Sequence, residues 1–496
     1  MQQKIIRIIN SKTFYISLII LCTAVIFTLR FTMLLKSNHP CGLDGYYYAL
    51  QAKSLLVNHA LENPDYKTGY YLCALTSFLC RNVITGCKLW AALASTLLSV
   101  SIFILLKTFS KNKIISFAGL FISGLCSPSL ASFEINYINN LTGLFCFYFF
   151  ASLFYALINS WKDLPKNKKI IYSSLAVFFF LTASFSHLVS LAYCFIFACL
   201  VLLRKLKLKN QIILVVFAVF CFALLFIWQK GRFNSVFSLT PVLPVFSKPL
   251  INIIKLPVCL EMSLYFILTY ACALIYALIK KHFDLFLLLP IIIFFPFWKL
   301  DTVDMGYRMF LNAVPCAICF ILIIIYELTK KQLTSTPKKL LIIPFAFLII
   351  LSFISKPHKI YNAKNDPPYE YYKKLVSKVD YLPQNSLLIA HLGLNHVYTY
   401  YNNLKDCLNY NCDFEVQDNE IWRLAYGVNA DYLKEFFGEY EDQELDKLIK
   451  PLDSNYTLIK EELWQRYLSY EEDEIVQSLN NWYNPHEYRP GFIRRK

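Results

Sequence analysis

Apolar residues in this chain gather into long uninterrupted runs, separated by short polar stretches that carry most of the lysine and arginine. The first run, residues 14–35, reads FYISLIILCTAVIFTLRFTMLL. It meets the roughly 20 residues a helix needs to cross a bilayer core. No short apolar core with a small-residue cleavage site surrounds it, so it is expected to be a retained first span and not a removed signal peptide. Further runs at 88–106, 114–130, 140–159, 170–186, 188–203, 211–228, 259–279, 284–298, 308–328 and 340–355 bring the expected total to eleven spans. The stretch 170–203 is divided into two short helices at Ser186–His187; one continuous helix would invert every connection that follows.

The connections alternate in charge. Lys4/Arg7/Lys12, Lys107/Lys111/Lys113, Lys162/Lys166/Lys168/Lys169, Arg204/Lys205/Lys207/Lys209, Lys280/Lys281 and Lys330/Lys331/Lys338/Lys339 fall in every second one. Basic residues concentrate on the cytoplasmic side, so the N-terminus is expected inside and the C-terminus outside. The outer connections are then 36–87, 131–139, the turn near 187, 229–258 and 299–307. From Lys356 the pattern changes. Residues 356–496 are charged and rich in Tyr and Asn, and hold no run long enough to span. SLLIAHLGLNHVYTYY (386–401) reads as a buried strand, a glycine turn and a mixed segment. ADYLKEFFGEYEDQELDKLIKPL and IKEELWQRYLSYEEDEIVQSLNNWY read as amphipathic helices. The expected architecture is a polytopic α-helical membrane domain, 1–355, followed by a soluble extracytoplasmic α/β domain, 356–496.

Composition agrees: 57% of residues are hydrophobic and only 17% are charged, against roughly a quarter in soluble chains. The net charge of +16 lies in short clusters between apolar runs, so it speaks for membrane topology and against nucleic acid. Most of the sixteen cysteines lie inside apolar runs, where cysteine behaves as a small hydrophobe; no metal framework is spaced along the chain. Cys407 and Cys412 lie in the polar region, where an outside location would permit a disulfide. No glycine-rich phosphate loop is present, which argues against a nucleotide-driven pump.

The first outer connection, about fifty residues, far exceeds the usual connection of roughly 4–6. It opens with CGLDGYYYALQAKSLL (41–56), in which Tyr47, Leu50, Ala52, Leu55 and Leu56 can share a helix face, and continues with TGYYLCALTSFLC (68–80). Both read as helices lying on the outer membrane surface. Asp44 stands where the chain enters this layer, either as the N-cap of the following helix or as a functional carboxylate. In SFEINYINN (132–140), Glu134 is accompanied by Asn136, Asn139 and Asn140, and is either a solvated loop acid or a second acid of the same site. DTVDMGYRMFLNAVP (301–315) places Asp301, Asp304 and Arg308 at the mouth of the tenth span. An arginine entering a span either snorkels to headgroups or lines a polar cavity. His187 is a phosphate donor or a structural turn residue, and Lys230 and Arg232 are anion ligands or interfacial anchors. Arg30, near the outer end of the first span, could face the same cavity. His391 and His396 lack the spacing of a metal site, and Arg423 and Tyr426 suit a core or an acceptor surface.

A long span, an outer loop opening on Asp with aromatics and DGYYYALQAKSLL, a Tyr-Tyr-Leu segment before the second span and a C-terminal soluble domain together resemble the GT-C glycosyltransferases. That class includes protein O-mannosyltransferases, the aminoarabinose transferases that modify lipid A and the catalytic subunits of oligosaccharyltransferases. The segment is similar to an Asp-Glu-x-Tyr-Tyr-Ala pattern, except that Gly45 stands in place of the second acid. The resemblance implies a polyprenyl-phosphate sugar donor, an acceptor that is a lipid, a glycan or a protein, and work at the outer face of a bacterial inner membrane. It implies Asp44 as general base, Glu134 as a helper, and Arg308 on the donor phosphate, with His187, Lys230 and Arg232 as further phosphate contacts. Tyr46, Tyr47, Asn139 and Asp304 would line the substrate. A divalent metal is compatible with this class and not required by the sequence. The rival readings are an O-antigen-type polymerase or ligase, a secondary transporter, and a membrane scaffold without activity.

Overall fold

The computed structural model describes residues 12–207 except Leu43, Pro64 and 126–137, then 209–217 and 220, scattered positions from 312 to 326, and most of 368–470. Glu134, Lys230, Arg232, Asp304, Arg308 and Cys412 lie outside the described residues.

Five described helices are long and apolar enough to cross a membrane. They are α1 (Lys12–Leu34), α4 (Val83–Ser110), α6 (Ile138–Asn159), α7 (Lys166–Ser186) and α8 (Leu188–Lys205). Shorter helices are α2 (Gly45–Val57), α3 (Thr68–Cys80) and α5 (Lys113–Leu125). The chain is an integral membrane protein with several apolar spans. The division at His187 is real: its backbone is extended (φ −159°, ψ 131°), which closes α7 and opens α8. Its ring Nδ1 accepts the Val189 N–H at 3.3 Å, supplying a partner that the first turn of α8 would otherwise lack.

By internal packing the chain forms two compact units, the first 1–36, 66–72 and 88–362, the second 37–65, 73–87 and 363–496. In the first, small residues allow close crossings. A side chain at Gly119 would overlap Leu106, and one at Gly124 would overlap Ile26. Arg30 is buried with its guanidinium on the Ser95 hydroxyl and the Ser123 and Gly124 carbonyls, the latter two at 3.2 and 2.9 Å. Those carbonyls end α5, where a helix leaves acceptors unsatisfied and favours a cation. Stacked rings such as Phe149–Phe179 (4.7 Å between centroids) join α6 to α7.

The second unit is built on a five-stranded mixed sheet of order β2-β1-β3-β5-β4. The strands are β1 (Ser386–Ala390), β2 (Cys407–Asn409), β3 (Glu420–Tyr426), β4 (Ile449–Pro451) and β5 (Tyr456–Lys460). β1 runs parallel to β2 and β3, while β5 pairs antiparallel with β3 and β4. Helices α9 (Tyr369–Ser377), α10 (Leu394–Tyr401), α11 (Ala430–Phe436), α12 (Asp442–Leu448) and α13 (Glu461–Tyr470) accompany it. The glycine turn after β1 is Gly393, at φ +95°, a region that side-chain-bearing residues avoid. The amphipathic segment from Ala430 forms two helices where one was expected, and its end joins the sheet as β4. Arg423 on β3 makes a bidentate ion pair with Glu461 on α13 (2.7 and 2.6 Å), both side chains buried.

Helix α2 belongs to this second unit. Tyr46 shares a core with Leu388, Val397, Trp422 and Tyr456. The buried positions of α2 include Tyr46, Tyr48, Ala49, Leu50 and Ala52, a broader face than the expected stripe. The aromatic side chains of α9 and α10 pack around Tyr46 of this helix.

Candidate functional site

Asp44 stands immediately before α2 with φ −91° and ψ 16°, half-buried. Its carbonyl accepts the Tyr48 N–H at 3.0 Å, yet its carboxylate makes no capping bond to the helix. The side chain therefore does not do what an aspartate at a helix start ordinarily does.

The turn around it is tightly specified. Gly42 takes φ +81° and its carbonyl accepts both the Gly45 N–H (3.2 Å) and the Tyr369 hydroxyl (2.7 Å). A Cβ on Gly45 would lie 2.7 Å from the Pro40 carbonyl oxygen and 2.9 Å from its carbon. The absent second acid thus has a steric reason: the chain folds back so closely that position 45 has no room for any side chain.

Tyr46 is 1% exposed, and its hydroxyl bonds His39 Nδ1 at 2.8 Å and the Tyr401 hydroxyl at 2.7 Å. Burial, reinforced by Tyr401, pushes its pKa far up, so the phenol keeps its proton. Tyr47 is half-buried, with its ring centroid 5.0 Å from that of His396. Desolvation lowers the His396 pKa to about 4, which leaves the imidazole neutral. Lys53, one face further along α2, donates to the Tyr400 carbonyl at 2.5 Å, and burial lowers its pKa.

In the other unit, His187 and Ser190 pack against α6 at Gly143. Gly143, one turn beyond Asn139, meets Ser190 and His187; a Cβ there would fall 2.9 and 3.3 Å from their Cβ atoms. Asn139 is buried with its amide against Gly69. Its neighbour Asn140 donates to Asn312 Oδ1 at 2.7 Å, which ties α6 to the helical residues that follow the DTVDMGYR segment. Bonds between amides of neighbouring helices are a recurrent means of joining membrane helices.

Two features escaped the sequence reading. Lys88 is 3% exposed in the second turn of α4, two residues before Trp90, whose indole N–H donates to Thr142 of α6 at 3.2 Å. Its signal was available: a cation within an apolar helix is expensive unless it serves a site. His39 is the other, and nothing local marks it, because its carboxylate partner is Glu370. Among the described residues no three His, Cys, Asp or Glu side chains gather as metal ligands.

No family model matches the sequence, and no curated protein matches it. Solved structures do match in fold. ArnT from Cupriavidus metallidurans in the apo state aligns with TM-score 0.52 at 10% identity, over 90% of this chain and 98% of that one. The same enzyme bound to undecaprenyl phosphate gives 0.51 at 11%, over 91% and 98%. The apo oligosaccharyltransferase of Archaeoglobus fulgidus gives 0.52 at 11%, over 80% of this chain; the chain spans 65% of that enzyme's length. At such identities the likeness is one of architecture, and the architecture is that of the GT-C glycosyltransferases.

Proposed function

We propose that this chain transfers a sugar from a polyprenyl-phosphate donor to an acceptor at the outer face of a bacterial cytoplasmic membrane. The observation that carries the reading is Asp44: a carboxylate at the head of α2 that does not cap it, in a turn fixed from several sides. The shared fold supports it, since ArnT has been captured with undecaprenyl phosphate. In the full layout eleven spans place the N-terminus inside, and Asp44 and the sheet domain outside.

The donor's lipid lies in the bilayer and its anomeric carbon at headgroup depth. The acceptor hydroxyl or amine attacks that carbon, the carbon–oxygen bond to phosphate breaks, and the lipid phosphate leaves with the bonding pair. Asp44 takes the acceptor's proton, a role typically worth about 10²–10⁴ in rate. Glu134 assists in placing the acceptor. Arg308, with His187, Lys230 and Arg232, meets the charge that develops on the departing phosphate, and buried Lys88 joins this group. Tyr47, Asn139 and Asp304 line the substrate path. A divalent metal, if used, would be held by Asp44 and Glu134 and would supply positive charge for the departing phosphate.

The test uses the full-length protein in nanodiscs, a panel of undecaprenyl-phosphate monosaccharides, and an envelope extract as acceptor. Release of undecaprenyl phosphate is followed by mass spectrometry. Release by the wild type should fall at least about a hundredfold in Asp44→Asn while insertion and folding persist. An Asp44→Asn protein turning over at the wild-type rate would refute the assignment.

A further inference from the structure

Four hydrogen-bonded groups run in line beside the Asp44 turn. The Glu370 carboxylate, at the start of α9, lies 2.7 Å from His39 Nε2. His39 Nδ1 lies 2.8 Å from the Tyr46 hydroxyl, which lies 2.7 Å from that of Tyr401, the last residue of α10. His39 and Tyr46 flank Asp44 in sequence, while Glu370 and Tyr401 are more than three hundred residues away. The same helices make two further attachments, Tyr369 to the Gly42 carbonyl at 2.7 Å and Lys53 to the Tyr400 carbonyl at 2.5 Å. The Tyr46 ring also meets those of Tyr369 and Tyr400 edge-on, at 4.7 and 5.3 Å.

The direction of the chain follows from its donors. A carboxylate only accepts, so a neutral His39 presents Nε2–H to Glu370 and leaves Nδ1 as an acceptor. Tyr46 then donates to Nδ1, and its oxygen accepts from Tyr401. In this arrangement each member has its bond. The Tyr46 phenol keeps its proton because burial disfavours the phenolate. The line therefore passes through a fixed hydroxyl two residues from Asp44, ends on Tyr401, and is not a path that delivers a second base.

We propose that His39 is a positioning residue for the Asp44 carboxylate, holding its turn to the sheet domain through Tyr46 on one side and Glu370 on the other. Helices α9 and α10 then take part in catalysis by holding the turn that carries Asp44. The proposal rests on the assignment of Asp44 as base. An error of about 1 Å in placing a reacting group lowers rates by roughly a hundredfold, so loosening this clamp should reduce kcat and spare donor binding.

Two substitutions separate the ends of the imidazole. The amide of His39→Asn reaches the position of Nδ1 and keeps the Tyr46 contact; that of His39→Gln reaches Nε2 and keeps Glu370. Full-length proteins in nanodiscs are compared for release of undecaprenyl phosphate from the same donor panel and for amide exchange of residues 41–57, with Lys434→Ala on the exposed Lys434–Asp446 pair as control. His39→Gln should lower kcat about ten- to a hundredfold with donor KM within about twofold, and should speed exchange in 41–57. His39→Asn should recover most of both. Wild-type turnover and exchange in His39→Gln would overturn the proposal, as would a loss that falls on KM, or equal loss in both variants. If Asp44→Asn is as active as wild type, the transferase reading fails separately. The exchange data then decide the clamp alone: faster exchange in His39→Gln than in His39→Asn upholds it, and no difference rejects it.

Discussion

Gly45 stands where the resembling enzymes carry a second acid, and its surroundings make a sharp prediction about restoring one. A Cβ at this position would sit 2.7 Å from the Pro40 oxygen and 2.9 Å from the Pro40 carbon. Carbon and oxygen settle at about 3.3 Å or beyond, so the intrusion is roughly 0.6 Å, and the atoms in the way are backbone. The turn must open, because α2 behind it is held by its buried side chains. Overpacking of this kind destabilises by about 1–3 kcal/mol. If the turn yields by half an ångström, Asp44 moves with it; at about a hundredfold per ångström, the rate should fall by about tenfold. Gly45→Ala is therefore expected to lose about tenfold in kcat, and Gly45→Glu at least as much, despite restoring the carboxylate. The donor-release assay reads the rate, and amide exchange across 38–48 reads the turn. An active Gly45→Glu faster than wild type would refute the steric account, because it would show that the missing acid was chemically wanted and physically accommodated.

Three more outcomes follow from contacts elsewhere. Arg423→Met leaves the Glu461 carboxylate buried without its guanidinium, which should destabilise the sheet domain by about 3–5 kcal/mol; Arg423→Met with Glu461→Leu should recover much of it, as thermal unfolding will show. His396 has a folded pKa near 4 against an ordinary 6.5, so the unfolded chain takes up the proton first as pH falls. Its contribution to stability is complete above about 6.5 and is lost on the way down to about 4. His396→Gln should flatten that limb of the melting temperature, and an unchanged acid slope would rule His396 out as its source. Gly143→Leu should push α8 from α6, unseating His187, with partial recovery in Gly143→Ala combined with Ser190→Gly; exchange of 186–194 distinguishes the two.

What could be read from sequence was whatever local chemistry dictates. The break at His187 was legible because a histidine between two apolar runs can end one helix and cap the next. The strand and glycine turn at 386–393 were legible because Gly393 needs positive φ. Asp44 was visible from its place at a boundary, though a helix cap was the simpler account until the geometry showed the carboxylate uncommitted to α2. The long-range pairings were not legible. Nothing near His39 announces Glu370, nothing near Arg423 announces Glu461, and Arg30 gives no hint that its partners end another helix. The same gap hides the sheet-domain partners of α2, since an apolar face does not say what covers it.

A base that works at a membrane surface faces two opposed demands. It must meet water-borne acceptors, and it must be held as rigidly as a group in a protein core. In the proposed mechanism this turn meets both by dividing the labour between neighbours. Tyr46, one residue past the glycine, enters the core, and burial keeps it and Tyr400 protonated, so neither phenol competes as a base. His396 is neutral and packed on Tyr47. Glu370 is ionised, its pKa lowered by the bond to His39, and that bond commits it to holding the turn. Asp44, by contrast, makes no capping bond to α2. In the proposed mechanism the sheet domain acts on the reaction by fixing where that carboxylate can be, through the contact of His39 with Tyr46.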